Sequence, residues 1–508
     1  MATCKLLSVT QHTGNPHIRF DEGATSRRES VLHNTIRESC SHRLFMGVVA
    51  TMLTISCAFA GAADLPKRHY DKWFNHYTDS FVSKIFLKSR KSTSSVTTMD
   101  QARELIKAVY DMSGGIHQIV YLVGWQHDGH DSKFPDLSVV GPQCRSSLSD
   151  DPLTSLRMAM REAREKYNCD LSLHINMSDC HTDSPAWQAY NDKMLLRLNS
   201  EGKIVKSGSW YQISHAKDWK SGFAKKHIDD LLEMIPELLQ ARTIHIDAFY
   251  ARPSEADGIT LDDYKAAIKA ITDYWHSKGI DVTNEFITSL DMIGWFPMVY
   301  HYNFDERMRM VYPVDVVCGG DNAWNRRLVV DYHNRDKLSG GPVFSSPTVG
   351  CLYDEAWGIG HFCDMRPHYL DKRLLGRKLF RSAFLFAWYN RHPLVRHEMT
   401  STDYAVIREG GVEANVRMAD RRLTVKENGR TVVDGTDYFL DMPYGGGLIL
   451  VHSTGGCDRE FALPVTWRGT KGLDGTVYPA GTTCALAVSD GKVRVKLAAC
   501  ESMVLHRK

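Results

Sequence analysis

Between about residues 84 and 395, short β-branched runs alternate with longer segments in which apolar residues recur at steps of three and four. The first pattern is typical of buried strands and the second of amphipathic helices. Strands and helices that alternate over such a length indicate βαβ units around a parallel sheet. The predicted strands cover residues 83–88, 117–123, 171–176, 243–249, 281–286 and 314–320.

The length of this region best fits a closed (β/α)8 TIM-like barrel. A doubly wound α/β sheet is the alternative, but no glycine-rich turn follows the first strand. Thr260 is placed to cap one of the predicted helices and Gly279 to end it, and Pro236 is expected to kink another. The predicted helices cover residues 99–115, 223–240 and 261–279.

After about residue 400 the pattern changes to short runs of alternating apolar and polar residues. Asn428-Gly429 and Asp490-Gly491 separate such runs and predict two hairpins. This part of the chain reads as a small antiparallel β-sandwich. The predicted domains are an N-terminal extension at 1–62, the barrel at 63–400 and the β-sandwich at 401–508.

Residues 43–62 begin with Arg43, continue as an apolar run and end in Ala60-Gly61-Ala62, the small-x-small form of a signal-peptidase site. We therefore expect a secreted protein, or a periplasmic or cell-surface one. The segment is too short for a convincing membrane span, and an uncleaved anchor is the alternative. The polar stretch before it is longer than a usual signal-peptide start, so Met46 is a candidate start.

Composition and the absence of motifs argue against nucleic-acid binding, zinc or thioredoxin-like cysteine sites, serine hydrolases, phosphoryl transfer and zincin proteases. The formal net charge is only +2, so the composition does not indicate a basic surface for nucleic acid or for a membrane. The twelve cysteines form no C-x-x-C pair, and no G-x-S-x-G, P-loop or H-E-x-x-H motif occurs. Aromatic residues make up 10% of the chain, which suits either sugar binding or large cores. Oligomeric state stays open.

Two predicted strands end in a carboxylate. Asp247 ends the run TIHID and Glu285 the run DVTNE, 285 − 247 = 38 residues later, about one βα repeat. In parallel barrels the carboxyl ends of the strands surround the active site. A pair of acids there is what glycoside cleavage needs, one ionised and one protonated. The alternative is that one of them belongs to a buried structural ion pair.

Other polar and aromatic residues follow the predicted strands. The loop GWQHDGHDSKFPD carries Asp and His side chains suited to sugar hydroxyls and a Trp suited to stacking. The alternative is a structured loop held by internal hydrogen bonds. Its spacing matches no standard metal loop, so neither a metal nor a cofactor is predicted. A core position for the strand histidine and simple packing for the aromatics are the alternatives. The candidate substrate-binding residues are Trp125, His130, Asp131, His174, Asn176, Trp210, Trp295 and Trp357.

Taken in order, GWQHDGHDS, LHINMSD, IHIDAFY and NEF resemble the barrel of the endo-α-N-acetylgalactosaminidases, glycoside hydrolase family 101, over about residues 84–330. The resemblance implies that Asp247 is the nucleophile and Glu285 the general acid/base. It also implies that His130, Asp131 and His174 line the sugar pocket. Members of this family retain the anomeric configuration and release Gal-β-1,3-GalNAc from Ser/Thr of mucin-type O-glycans.

The chain departs from the family pattern at three points. Phe249-Tyr250 and Phe286-Ile287 stand where members usually have an aromatic residue and Gly, and Ser209-Trp210-Tyr211 replaces a Trp-x-Trp segment. We expect an exported retaining α-glycosidase that needs no cofactor and takes a glycan or glycoprotein substrate. The alternatives are an exo-acting α-galactosidase, α-N-acetylgalactosaminidase or other α-glycan hydrolase, and a non-catalytic glycan-binding protein.

Overall fold

The computed structural model describes residues 67–91, 93–285, 289–299, 316, 318–319, 363–399, 403–417, 422–435 and 437–508. All of them belong to one compact unit, Asp64–Lys508. The predicted signal segment at 43–62 and Trp357 lie outside the described residues. The predicted domain division and the predicted export therefore stay predictions.

A parallel sheet forms the first part of this unit. Its strand order is β10-β9-β8-β7-β3-β2-β1-β11, with parallel pairing throughout. Each of the six predicted strands overlaps an observed one, which confirms the parallel α/β prediction, while eight-fold closure of the barrel stays a prediction. The strands of this part are β1 (Phe81–Phe86), β2 (Gln118–Val123), β3 (Cys169–Asn176), β4 (Asp179–Cys180), β5 (Lys206–Ser207), β6 (Trp210–Gln212), β7 (Thr243–Asp247), β8 (Asp281–Asn284), β9 (Met298–Val299), β10 (Cys318–Gly319) and β11 (Cys363–Met365).

Helices connect these strands, and their ends follow local sequence signals. Thr260 accepts a hydrogen bond from the Asp263 backbone in a capping box at the start of α7. The predicted helix at 223–240 is broken around Pro236, as expected, into α5 and α6. The helices are α1 (Met99–Ser113), α2 (Pro152–Tyr167), α3 (Trp187–Asp192), α4 (His215–Ser221), α5 (Phe223–Met234), α6 (Leu238–Ala241), α7 (Leu261–Ser277), α8 (Lys372–Lys378) and α9 (Phe384–Asn390). None of the described helices is both long and apolar enough to span a membrane.

The two faces of the parallel sheet differ in character. Phe81 and Ile85 of β1 belong to the main hydrophobic core, which the helices share. Val82, on the opposite face, packs with Ile119 and Tyr121 of β2 in a small separate cluster. Because side chains alternate along a strand, even-numbered residues of β1 and odd-numbered residues of β2 face this inner side. The inner side is where the polar residues described below collect.

The chain after Leu394 forms a second, antiparallel sheet, which confirms the predicted change of architecture. It begins slightly earlier than the predicted boundary at residues 400 and 401, since its first strand covers Leu394–Met399. The two predicted hairpins turn at Asn428-Gly429 and Asp490-Gly491, where all four residues have positive φ. The strands are β12 (Leu394–Met399), β13 (Asp403–Arg408), β14 (Val412–Arg417), β15 (Arg422–Glu427), β16 (Arg430–Asp434), β17 (Asp437–Met442), β18 (Leu448–Ser453), β19 (Cys457–Ala462), β20 (Gly472–Tyr478), β21 (Thr482–Ser489), β22 (Lys492–Leu497) and β23 (Glu501–Arg507).

This second sheet is continuous, in the order β12-β13-β14-β15-β16-β17-β18-β23-β20-β21-β22-β19. It folds over itself, since Val451 of β18, Val493 of β22 and Leu505 of β23 share one apolar cluster. The opposite face of β17 and β18 contributes Leu440 and Leu448 to the core of the parallel part. One face of the sheet thus covers the helices and the other covers its own last strands.

Candidate active site

Strand register places the polar side chains of β3, β7 and β8 next to one another. His174 lies opposite His245 and Asn176 opposite Asp247, and His245 lies opposite Thr283. Alternation along each strand then puts all of these on the inner face of the sheet. Asp247 ends β7 and Glu285 follows β8 directly, so both acids lie at the carboxyl edge, as the sequence predicted.

Asp247 and Glu285 are hydrogen-bonded to each other through their carboxyl groups. Burial raises the pKa of Glu285 well above its usual range, and the negative charge of Asp247 raises it further. Burial acts on Asp247 in the same sense, but the hydrogen bond from Glu285 and the neighbouring His174 ring outweigh it and hold the pKa of Asp247 well below its usual range. The two opposite pKa shifts favour a single proton on the pair, carried by Glu285.

The backbone also fixes Glu285. The backbone N–H of Ala248 donates to Oε2 of Glu285 at 2.9 Å. Ala248 has φ 52, a left-handed conformation that is unusual for a residue other than glycine. This turn directly after Asp247 points the Ala248 N–H toward the neighbouring acid. The strained residue thus orients the two carboxyl groups relative to each other.

His174 lies beneath Asp247. Its Nε2 atom is 3.3 Å from Oδ2 of Asp247, and its side chain is only 3% exposed. Burial, followed by the positive charge of Lys84, lowers the pKa of His174 to about 4. The ring is therefore neutral at pH 7 and orients Asp247 without neutralising it. Rings of His130 and His245 lie on either side of it, with centroids at 5.2 and 5.1 Å.

The loop after β2 brings His130 and Asp131 to the same edge. The His130 backbone N–H donates to the Lys88 carbonyl at 2.7 Å, which ties the loop to β1. His130 Nε2 lies 3.4 Å from Oδ1 of Asp131. Burial raises the pKa of Asp131, and the negative charge of Asp247 raises it further. Asp131 therefore interacts electrostatically with Asp247. The structure thus brings both predicted loop residues to the acid pair.

Asn176 supports a turn at the edge of the site. Its side-chain oxygen accepts from the backbone N–H groups of Ser178 and Asp179 at 2.7 and 3.0 Å, and its amide donates to Oδ2 of Asp179 at 2.8 Å. Burial raises the pKa of Asp179 to about 7, and Asp247 is among the charges that raise it. Asn176 therefore holds a second buried acid close to the first pair. Sequence reasoning named Asn176 but missed Asp179.

The tryptophan candidates differ in position. Trp125 is fully buried, and its Nε1–H donates to the His174 carbonyl at 3.0 Å, so its ring offers no face to a sugar. Trp295 packs against the core and precedes β9, whose parallel direction puts it at the opposite end of the sheet from the acids. The structure therefore corrects the expectation that either ring lines the pocket. Trp357 is not among the described residues.

Trp210 is the remaining aromatic candidate. It belongs to a small antiparallel sheet of β4, β6 and β5 and is partly exposed. Its ring stacks nearly parallel to His181, with centroids 6.1 Å apart. Arg90 joins this group, since Nη1 lies 2.6 Å from His181 Nδ1 and its backbone N–H donates to the His130 carbonyl at 3.2 Å. The structure thus connects Trp210 to the rim of the site.

Sequence reasoning missed Lys84, the buried basic side chain on the inner face of β1. The signal was present as a lysine in the middle of the apolar run FVSKIF.

His130, His174 and Asp247 place potential metal-ligand atoms within 4.8 Å of one another. We assign no metal ligands there, because Asp247 is already hydrogen-bonded and the charge of Lys84 acts on His174.

Comparison with known proteins supports the resemblance inferred from the motifs. Residues 78–307 match the family profile described as endo-alpha-N-acetylgalactosaminidase. This range contains the four motifs that carried the resemblance, and the predicted relationship of this region to the family is confirmed. A comparison with curated proteins returned no match.

Among solved structures, a quadruple mutant of the α-N-acetylgalactosaminidase of Bifidobacterium bifidum aligns with 13% identity and a TM-score of 0.50. The alignment covers 69% of this chain and 57% of that one, so the chain spans little more than half of that structure. An α-galactosidase of Geobacillus stearothermophilus aligns with 11% identity over 88% and 56% of the two chains, with a TM-score of 0.43. At 13% identity, the similarity to the Bifidobacterium bifidum structure supports the fold alone.

Proposed function

We propose that this chain, whose residues 78–307 match the endo-α-N-acetylgalactosaminidase family, is a retaining α-glycosidase. The observation that carries the proposal is the acid pair at the carboxyl edge of the parallel sheet. Burial and the charge of Asp247 raise the pKa of Glu285, whereas the hydrogen bond with Glu285 lowers the pKa of Asp247, so the pair favours an ionised Asp247 beside a protonated Glu285. A glycosidase needs these two states at the same time.

The closeness of the two acids favours retention over inversion. Inverting enzymes leave about 6.5–9.5 Å between the carboxyl groups for a water, whereas retaining enzymes keep them about 5–5.5 Å apart. Asp247 and Glu285 are hydrogen-bonded to each other, which leaves no room for a water between them and lies nearer to the shorter of these spacings.

The proposed reaction has two steps. A carboxylate oxygen of Asp247 forms a bond to the anomeric carbon as the glycosidic C–O bond breaks, and Glu285 gives its proton to the leaving oxygen. In the second step Glu285 takes a proton from water, whose oxygen bonds to the anomeric carbon as the ester to Asp247 breaks. The proton returns to Glu285 and the carboxylate to Asp247, so the site is restored.

The substrate and the location of the enzyme are also proposed. From the family we infer α-linked GalNAc, released as Gal-β-1,3-GalNAc from Ser/Thr of mucin-type O-glycans. Such substrates lie outside cells, which agrees with export directed by residues 43–62. His130, Asp131 and His174 would contact the sugar nearest the acids. Trp210, at the rim of the site, would contact an outer part of the glycan.

Hydrolysis of aryl α-glycosides of Gal-β-1,3-GalNAc, GalNAc and Gal tests the proposal, with proton NMR of the first product to read its anomeric configuration. We expect disaccharide release with retention, and loss of turnover by at least about a thousandfold in both Asp247→Ala and Glu285→Gln. Asp230→Ala, an exposed acid on α5 paired with Lys226, is the matched control and should keep full activity.

The other outcomes separate the alternatives. Release of a monosaccharide keeps the mechanism and replaces endo action by exo action. An inverted product contradicts the role of Asp247 as a nucleophile. Full activity in either acid variant removes that residue from the mechanism. Glycan binding without turnover by the wild-type protein would make the chain a glycan-binding protein.

A further inference from the structure

We propose that Lys84 is a positioning residue of this site, whose buried ammonium group keeps Glu285 ionised in the second half of the reaction. The role rests on the proposed glycosidase function, because only there does Glu285 act as a base. Neither the motif series nor the family comparison singles out this residue. Its position in the fold and the energetics of a buried charge carry the inference.

Lys84 belongs to the inner layer of residues under the acids. It lies directly opposite Tyr121 in the pairing of β1 with β2. The ring of Tyr121 contacts His245 with centroids 5.5 Å apart, and His245 contacts His174. Lys84 shares the inner face with Val82 and is only 7% exposed. Its long side chain therefore runs through the interior of the parallel part rather than out to solvent.

A lysine in such a place needs an anion nearby. Burying an ammonium group without a compensating charge is strongly unfavourable, so buried lysines are paired or lose their proton. Among the described residues, the buried Lys and Arg side chains are Lys84 and Arg408. Arg408 of β13 donates to the carbonyl of Tyr389 in α9 and to that of His392 just after it. The charge of Lys84 acts on Glu285, an acid of the same inner face.

Electrostatics agree with this placement. Burial and then Asp247 raise the pKa of Glu285, whereas the charge of Lys84 lowers it. The same charge helps keep His174 neutral. Several elements present titratable or charged groups to Glu285 and its partner. They are Lys84 of β1, His174 of β3, Asp179 of β4, Asp247 of β7, and His130 and Asp131 of the loop after β2.

The charge of Lys84 matters most once the glycosyl-enzyme has formed. Asp247 is then an uncharged ester and no longer repels a negative charge on Glu285. Burial alone would still favour the protonated acid, which cannot take a proton from water. Lys84 offsets this effect and leaves Glu285 ionised, ready to act as the base. Without Lys84, the second step should slow while the first step keeps its acid.

The decisive experiment titrates Glu285 directly, independent of turnover. Carboxyl-¹³C-labelled glutamate is followed by NMR through a pH series in wild type, Lys84→Met and Lys84→Arg, and Glu285→Gln assigns the signal. We expect Glu285 to titrate at higher pH in Lys84→Met and to return toward the wild-type value in Lys84→Arg. Lys107→Met, at an exposed lysine of α1 paired with Asp111, is the matched control and should leave the titration unchanged.

Kinetics then test the consequence for the second step. With an activated aryl glycoside, Lys84→Met should lower kcat near neutral pH about tenfold or more, with recovery as the pH is raised. Azide, which attacks the anomeric carbon without needing a base, should restore the rate. A merely structural role would lower stability and leave the pH profile and the azide response as in wild type.

The outcomes are separable. An unchanged Glu285 titration in a folded Lys84→Met protein overturns the proposal. Lys84→Gln is the second uncharged variant if the Met variant does not fold. If the wild-type protein hydrolyses no α-glycoside, the proposed function fails, and the titration still decides whether Lys84 sets the ionisation of Glu285.

Discussion

At the scale of single residues, burial decides the role of each side chain in the site. Asp247 and Glu285 are both buried carboxyl groups, yet the pKa of Asp247 is lowered and that of Glu285 is raised, in part by their mutual contact. His174 is neutral because burial and Lys84 both oppose its positive charge. A site whose groups hold complementary protonation states before substrate arrives needs little rearrangement during the reaction.

The two tryptophans near the site should respond differently to substitution. Trp125→Phe removes the donor to the His174 carbonyl from a fully buried position. We expect a loss of about 1–3 kcal/mol in the free energy of unfolding and little change in KM. Trp210→Ala removes a partly exposed ring and should raise KM with little loss of stability.

Urea unfolding and steady-state kinetics on both variants check this pair. A large rise in KM for Trp125→Phe at unchanged stability would show that its ring reaches substrate after all. An unchanged KM for Trp210→Ala would remove it from the binding surface. The two variants serve as each other's control, since each deletes an indole N–H near the same edge of the sheet.

The sequence predicted most of these residues because strand periodicity determines which side chains share a face. Asp247 and Glu285 follow from two strand ends one repeat apart. Trp125 was misplaced because a residue at a strand end faces either the pocket or the core, and only its hydrogen bond to the His174 carbonyl decides between them. Lys84 was missed because its predicted strand gave no sign of which acids lie across the interior.

At the scale of elements, close backbone approach holds the His130 loop against β1. Gly124 has φ +75, and a Cβ atom there would lie 2.1 Å from the Lys88 carbonyl oxygen and 2.8 Å from the His130 nitrogen. Both contacts are to backbone, which cannot move aside as a flexible side chain can. Glycine at this position therefore lets the loop bring His130 to the acid pair.

Gly124→Ala should displace this loop, with a loss of unfolding free energy well above the ~1 kcal/mol expected for positive φ alone, and should lower kcat/KM. Gly258→Ala is the matched control, since Gly258 also has positive φ (+67) but a Cβ atom there meets nothing within 4 Å. Thermal unfolding and kinetics on both variants measure the difference. Equal losses in the two would mean that backbone approach contributes nothing.

Element boundaries were predictable where a local signal marks them. The Asn428-Gly429 and Asp490-Gly491 turns, the Thr260 cap and the break at Pro236 all lie where the sequence placed them. The small sheet of β4, β5 and β6 was not predicted, because two- and three-residue strands carry no periodicity. It nevertheless positions Trp210.

At the scale of the whole molecule, the antiparallel sheet is part of the support for the site. Leu448 of β18 lies in the core shared with the parallel part, and its Cδ2 atom would be 2.3 Å from a Cβ added to Gly114 at the end of α1. Gly445 approaches the Gly114 carbonyl in the same region. The sequence predicted a barrel and a separate β-sandwich. Composition along the chain cannot reveal that the parallel and antiparallel sheets share one hydrophobic core.

This shared core predicts coupled unfolding. Leu448→Ala should lower the free energy of unfolding by about 2–5 kcal/mol, and the loss should appear together in the parallel and antiparallel parts. Val465→Ala, at a side chain that is 69% exposed, is the control and should change stability by less than about 0.5 kcal/mol. Hydrogen exchange of amides in β3 and β18 reads the two parts separately. If Leu448→Ala speeds exchange in β18 and leaves β3 protected, the two parts are independent, and the antiparallel sheet does not stabilise the strands that carry Asp247 and Glu285.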